Sequence, residues 1–199
     1  PRLSAAERAE MLRKLSLAIQ ARSQELADVI TAEMGSPSSW SLMGQVFSST
    51  MVFDGWADLA ETFPFEELRP GAMGPVLVRK EPVGVSAGII PWNVPLFIVA
   101  LKLGAALAAG APMILKPSPE TPLDGYVLGE ILDEIDLPKG MVSILPAGRE
   151  ALPLLRQKLE AGFLAFTWKV GVGAIDDELG FLDDLLAERR VAARAGLQR

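Results

Sequence analysis

An α/β fold built on a parallel sheet is predicted for this 199-residue chain, and three observations within residues 81–122 predict it. That stretch reads EPVGVSAGIIPWNVPLFIVALKLGAALAAGAPMILKPSPETP. An apolar, strand-like run over 83–90 stops at Pro91-Trp92-Asn93. A helix-like run over 96–109 breaks at Gly110. A second apolar run, Met113-Ile114-Leu115, ends at Lys116-Pro117-Ser118-Pro119. Strand, loop, helix, strand, loop is the order of a βαβ unit. Polar residues stand where both strands end. In open α/β sheets ligands bind outside the carboxyl ends of the strands, so Asn93 and Lys116 are the first candidate functional residues.

Composition narrows the chemistry. Half of the residues are hydrophobic, enough for a buried core, and the formal net charge is −6. A nucleic-acid binder usually carries a basic face, so that class is disfavoured. The chain has no cysteine, which removes disulfides, thiolate metal sites and a thiol nucleophile from these residues. It has no histidine either, hence no imidazole base and no His-ligated zinc. No metal site is expected.

The N-terminus is charged and helical, without the apolar core and small-residue cleavage site of a signal peptide. Residues 89–115 are long and apolar enough to raise a spanning helix. Asn93 and Lys102 lie inside that stretch, and a charge near the bilayer centre costs roughly 3 kcal/mol. Pro91, Pro95, Gly104, Gly110 and Pro112 punctuate it, and alternating short elements explain them better. A cytoplasmic protein without a membrane partner is the expectation.

The elements follow in order. Ser4-Ala5-Ala6-Glu7 fits a capping box opening a helix that should run to Met34 and stop at Gly35-Ser36-Pro37. Leu12, Leu15, Ile19, Leu26, Val29 and Ile30 form its apolar stripe. A second helix is predicted over 45–61, with Val46, Met51, Val52, Trp56 and Leu59 inward. Trp40 and Trp56 read as packing residues rather than a ligand cage. The turn signals Arg69-Pro70-Gly71 and Gly74-Pro75 precede a short strand over 76–81, and a two-stranded arm is expected. An isolated hairpin is marginal in water, so the arm wants a sheet from another domain or subunit. Past Pro122 a helix is predicted over 123–135, with Tyr126, Val127, Ile131 and Leu132 inward. A buried strand over 141–145 comes next, then a helix-like segment over 148–161 and a strand over 163–167. Strands alternating with helices argue for a parallel sheet covered on both sides.

No G-x-G-x-x-G stands between the first strand of the βαβ unit and its helix, so the usual dinucleotide fingerprint is absent there. Spacing alone supports an α/β sheet with polar residues at its strand ends, and no more.

The motifs themselves are more specific. ITAEMGSP, ADLAETFPFEE, IIPWN, KLGAALAAG and KPSPETP, at these spacings, resemble the N-terminal, nucleotide-binding part of the aldehyde dehydrogenase family over residues 3–167. The resemblance implies that family's Rossmann-like parallel sheet, incomplete here, preceded by N-terminal helices and a β-arm. It implies NAD or NADP as cofactor and an aldehyde as the substrate of the full-length family. It implies that Asn93 donates to the developing thiohemiacetal oxyanion, a role in which a side-chain amide contributes roughly 3 kcal/mol. Ile89, Ile90, Pro91 and Trp92 would line the nicotinamide-side groove. Lys116 would bind the adenosine ribose or its phosphate, with a hydroxyl contact from Ser118. Many NAD-preferring members place a glutamate where this chain has Pro119, so NADP stays open, and the role is not transferred to Glu120 one residue along. Lys102 reads equally as a structural amine or as a supporting side chain of the site.

After Thr167 the family continues with Gly-Ser-Thr and a later glycine at the helix N-terminus facing the pyrophosphate. This chain has Trp168-Lys169-Val170-Gly171-Val172-Gly173, and Gly173 falls at the later glycine. From Ala174 no resemblance remains. An acids-first, bases-last amphipathic helix over 175–195 suits the helix dipole. Its arginine- and alanine-rich character is also what a shifted reading frame in GC-rich DNA produces. The expected division is therefore 1–64, N-terminal helices; 65–81, arm; 82–173, NAD(P)-binding part; 174–199, helical tail. The family's nucleophilic cysteine and general-base glutamate belong to its later part. The chain is expected to be a fragment, inactive alone, and a homo-oligomer if the missing part were present. The alternative is a non-catalytic nucleotide-binding or subunit-interaction remnant.

Overall fold

The computed structural model describes residues 3–145 and, as backbone, a strand at 165–167. The helix-like segment expected over 148–161, the Trp168–Gly173 stretch and the tail over 174–199 lie outside the described residues.

Ser4 opens helix α1, Ala5–Ala21, by the expected reciprocal cap: the Glu7 N–H donates to Ser4 Oγ at 3.2 Å and the Ser4 N–H to Glu7 Oε2 at 2.6 Å. The single helix expected to Met34 is in fact two, with α2 spanning Ser23–Met34. The break falls at Arg22, whose φ of −104° and ψ of 23° leave the helical region. It lets α1 lie on the helix at 48–62 while α2 turns toward the one at 123–134. Arg22 holds the elbow, with its guanidinium on Glu25 and Glu130 at 2.7 Å each and on Glu134 at 3.1 Å. Gly35, at φ 70°, ends α2 as a left-handed cap.

The helix expected over 45–61 begins earlier. A short turn, α3 at Ser38–Trp40, runs into a π-helical stretch, Ser41–Phe47, and then into α4, Ser48–Thr62. Val46 is buried as expected, and Val52 and Trp56 are half-buried. Met51 and Leu59 are not inward: they are exposed, and Phe53, Ala57 and Ala60 take the core face instead. α4 packs against both α1 and the next long helix, and small alanines allow that approach where larger side chains would not.

The arm is a two-stranded antiparallel sheet, β1 at Glu66–Arg69 and β2 at Val76–Arg79, registered Glu66 to Arg79 and Arg69 to Val76. It is a separate sheet from the larger one.

The larger sheet holds β3, Ser86–Ile89, β4, Met113–Lys116, β5, Val142–Ile144, and β6, Ala165–Thr167, all parallel, in the order β5-β4-β3-β6. β3 starts later than the run at 83 suggests: Gly84, at φ 115°, turns the chain and leaves Val83 exposed. Helix α5, Pro95–Ala109, connects β3 to β4, and α6, Leu123–Glu134, connects β4 to β5. α5 touches α1, α4, α6, β3 and β4. A helix covered on so many sides is apolar all round, which accounts for the membrane-like stretch. Among the described residues no helix is long and apolar enough to cross a membrane.

Two glycines set the helix positions. A Cβ on Gly104 of α5 would fall 2.4 Å from the Trp56 ring, and one on Gly125 of α6 would fall 2.9 Å from Pro117. The close approach at Gly125 turns Tyr126 outward, against expectation, and the buried face of α6 runs through Leu128, Ile131 and Leu132. Arg8 ties α1 to the end of α5: its Nε donates to the Ala108 carbonyl at 2.8 Å, one of the helix's unpaired terminal acceptors.

Candidate functional site

The order β5-β4-β3-β6 reverses at β3. From β3 the chain steps outward through β4 and β5, then returns to β6 on the other side. Such a reversal opens a crevice at the carboxyl ends of the strands, where doubly wound sheets take their ligands. The residues at 89–93 leave β3 at that point. Asn93 is exposed, Trp92 and Ile89 are half-buried, and Ile90 and Pro91 are buried. The sequence builds the loop from Pro91 and Pro95, which bar regular pairing on either side of Asn93.

The two predicted clusters come together through backbone pairing. Ile89 is registered with Lys116, and the Ile90 N–H donates to the Lys116 carbonyl at 3.0 Å. The PWN loop and the KPSPETP loop therefore leave adjacent strands at the same end. Lys116 is half-buried, with Nζ donating to the Pro117 carbonyl at 3.3 Å. Ser118 is buried and its hydroxyl donates to the Glu120 carboxylate. Lys102 reaches back from α5 to the strand end, where Nζ donates to the Ile89 carbonyl at 2.7 Å. It holds the last residue of β3 one turn before the loop.

At these strand ends the described residues offer side chains rather than a glycine-rich amide cradle. α5 opens with Pro95, which has no N–H, behind Val94, which makes no side-chain cap. Among the described residues no group of acidic side chains is placed to hold a metal ion.

Three residues beside this site escaped sequence reasoning. Glu33, at the end of α2, accepts the Leu123 N–H at 3.0 and 3.2 Å and so caps α6 from 90 residues away. Burial pushes its carboxyl upward, opposed by the Leu123 and Asp124 amides. Asp124, in the first turn of α6, is 2% exposed. Burial first, and the Glu33 charge in support, push it up to about 7, although backbone N–H groups pull the other way. Thr121 is also buried, and its hydroxyl has no partner among the described residues. The acid in the first turn was the only signal for Asp124; nothing local marked Glu33.

Comparison with known proteins gives a consistent picture. The family model described as "Aldehyde dehydrogenase family" matches residues 1–175, somewhat past Thr167. The geranial dehydrogenase of Castellaniella defragrans is 37% identical over 171 residues, covering 84% of this chain and 35% of that protein. A solved structure, PnpE in complex with nicotinamide adenine dinucleotide, superposes with a TM-score of 0.74 at 35% identity, covering 82% of this chain and 34% of its own. An Escherichia coli NADP-dependent enzyme superposes with a TM-score of 0.70 at 30% identity, covering 75% and 31%. The chain spans about a third of the length of the curated relatives it matches.

Proposed function

The chain belongs to the aldehyde dehydrogenase family, and from that premise we propose that it carries the cofactor-binding half of NAD(P)-dependent oxidation of an aldehyde to a carboxylic acid. The observation that carries this reading is the pairing of Ile89 with Lys116, which puts Asn93 and the lysine loop on neighbouring strand ends at the sheet's reversal.

In this reading Lys116 and Ser118 meet the adenosine ribose. Ile89, Ile90, Pro91 and Trp92 line the nicotinamide-side groove. The Asn93 amide N–H donates to the oxygen that gains negative charge when a thiol adds to the aldehyde. Lys102 is a positioning residue, fixing the Ile89 carbonyl and through it the direction of the loop. These residues would hold NAD(P), which would supply the hydride acceptor. The thiol comes from outside these residues, because the 199 contain no cysteine. The working division is 1–64, 65–81, 82–173 and 174–199, with the whole acting in the cytoplasm and as a homo-oligomer.

The chain alone is therefore expected to bind dinucleotide without turnover. Purified protein mixed with an aldehyde and NAD or NADP should produce no reduced cofactor. Aldehyde-dependent reduction by the pure chain would overturn the division of labour.

A second reading, a non-catalytic subunit-interaction remnant, draws on the arm. Leu68, Val76 and Leu77 are exposed on a sheet that, among the described residues, pairs with no third strand. Co-purification with an intact homologous subunit, lost on deleting residues 65–81, supports it; failure to co-purify removes it.

A further inference from the structure

We infer that Glu33, on α2, is a positioning residue for Lys116 and acts on it through α6; this rests on the nucleotide-binding reading above. The loop over residues 117–122 joins β4 to α6, and its two ends are fixed differently. At the β4 end, pairing of Lys116 with Ile89 and the Ile90 N–H on the Lys116 carbonyl hold it. At the α6 end no local side chain does. Pro122 precedes the helix without a capping side chain, and the Thr121 hydroxyl is buried without a partner among the described residues. The first-turn N–H groups of a helix need an acceptor from elsewhere when no local one serves. Glu33 supplies it, taking the Leu123 N–H on its two carboxylate oxygens at 3.0 and 3.2 Å.

Two features separate this contact from an ordinary cap. The first is where the acid stands. Glu33 lies in the last turn of α2, where the helix dipole disfavours a negative charge, and burial pushes its carboxyl upward. Both effects work against an acid at that position, and the contact with α6 is what the fold sets against them. The second is what α6 touches next. Gly125, in the same first turn as Leu123, lies close on Pro117: a Cβ there would fall 2.9 Å from the proline ring. Pro117 follows Lys116 directly, and its carbonyl accepts from Lys116 Nζ at 3.3 Å. Glu33, Leu123, Gly125, Pro117 and Lys116 thus form one continuous run of bonds and contacts. Pro117, Pro119 and Pro122 fix three φ angles in the loop and leave it little slack. A shift of the first turn of α6 therefore moves Pro117, and with it a carbonyl that aims the lysine ammonium.

The test is a double-mutant cycle, read by calorimetric titration of the full 199-residue chain with NAD, on Glu33→Ala, Lys116→Ala and the two combined. Glu33→Ala should weaken NAD binding about fivefold in the parent and less than about twofold once Lys116 is gone, because its effect passes through the lysine. A merely structural loss would instead add to that of Lys116→Ala. Glu33→Gln, which keeps a carbonyl acceptor for the Leu123 N–H, should bind within about twofold of the parent. Circular dichroism at the titration temperature checks the fold of each variant. If Glu33→Ala unfolds, Glu33→Asp takes its place in the cycle, since it keeps the charge and shortens the reach. A Glu33→Ala chain that binds as the parent does, or one whose loss is undiminished in the Lys116→Ala background, overturns the inference while leaving the nucleotide site standing. A parent that binds no NAD overturns the nucleotide reading and the inference with it.

Discussion

The α4–α5 contact and the two strand-end loops lie close in the chain and follow opposite rules. At the contact, shape decides: Gly104 admits the Trp56 ring where even a Cβ would collide, and Phe53, Leu103 and Leu107 are fully buried. At the loops, polar side chains decide: Asn93 is exposed, Lys116 is half-buried, and Ser118 spends its hydroxyl on Glu120. The first region packs the helix that joins the two strands from which the loops depart. Stability and binding should therefore separate cleanly by position.

The largest effect expected from breaking that separation is on the packed side. Leu103→Ala should lower the unfolding free energy by about 2–5 kcal/mol, read by urea denaturation. A loss below 1 kcal/mol would mean that α5 is not the centre of the core.

Asp124 sharpens the comparison, because it is a buried acid that belongs to neither region. Its ordinary value is near 3.8 and its folded value about 7. Below pH 4 both states are protonated and the group is neutral to stability. Between about 4 and 7 the unfolded chain ionises while the folded one keeps its proton, so stability falls as pH rises. Above 7 both are ionised and the penalty is constant. Asp124→Asn should raise stability at pH 8 by a few kcal/mol at most and flatten the slope between pH 4 and 7. A slope unchanged by the substitution would place the ionisation elsewhere.

On the loop side, Lys116→Ala should weaken dinucleotide binding by about tenfold, the loss of one charge-assisted hydrogen bond. Asn93→Ala should leave the unfolding free energy within about 0.5 kcal/mol of the parent, as surface substitutions generally do. Instability of Asn93→Ala would tie the loop to the core after all.

The same comparison explains what the sequence disclosed. The run from β3 to β5 was legible because Pro91, Gly110, Pro112 and Pro117 bound each apolar segment and leave few other readings. The position of the candidate residues was legible for the same reason, since they follow directly on strand ends. Packing against small residues was not. Periodicity favoured large apolar residues such as Met51, Leu59 and Tyr126, whereas close approach at Ala57, Ala60 and Gly125 put them outside. Contacts made far along the chain left no local trace. Arg8 on Ala108 and Glu33 on Leu123 join residues 100 and 90 positions apart, and the break at Arg22 follows from packing onto different partners.

We expect the dinucleotide to sit at the carboxyl ends of β3 and β4. Trp92 and Trp56 test it within one spectrum, because the former leaves β3 beside Asn93 and the latter is packed on Gly104. In a nitrogen-15 correlation spectrum titrated with NAD, the Trp92 indole N–H and the backbone signals of residues 89–93 and 116–120 should move while the Trp56 indole stays fixed. Shifts centred on Trp56, or no saturable shift at the strand ends, would contradict the account.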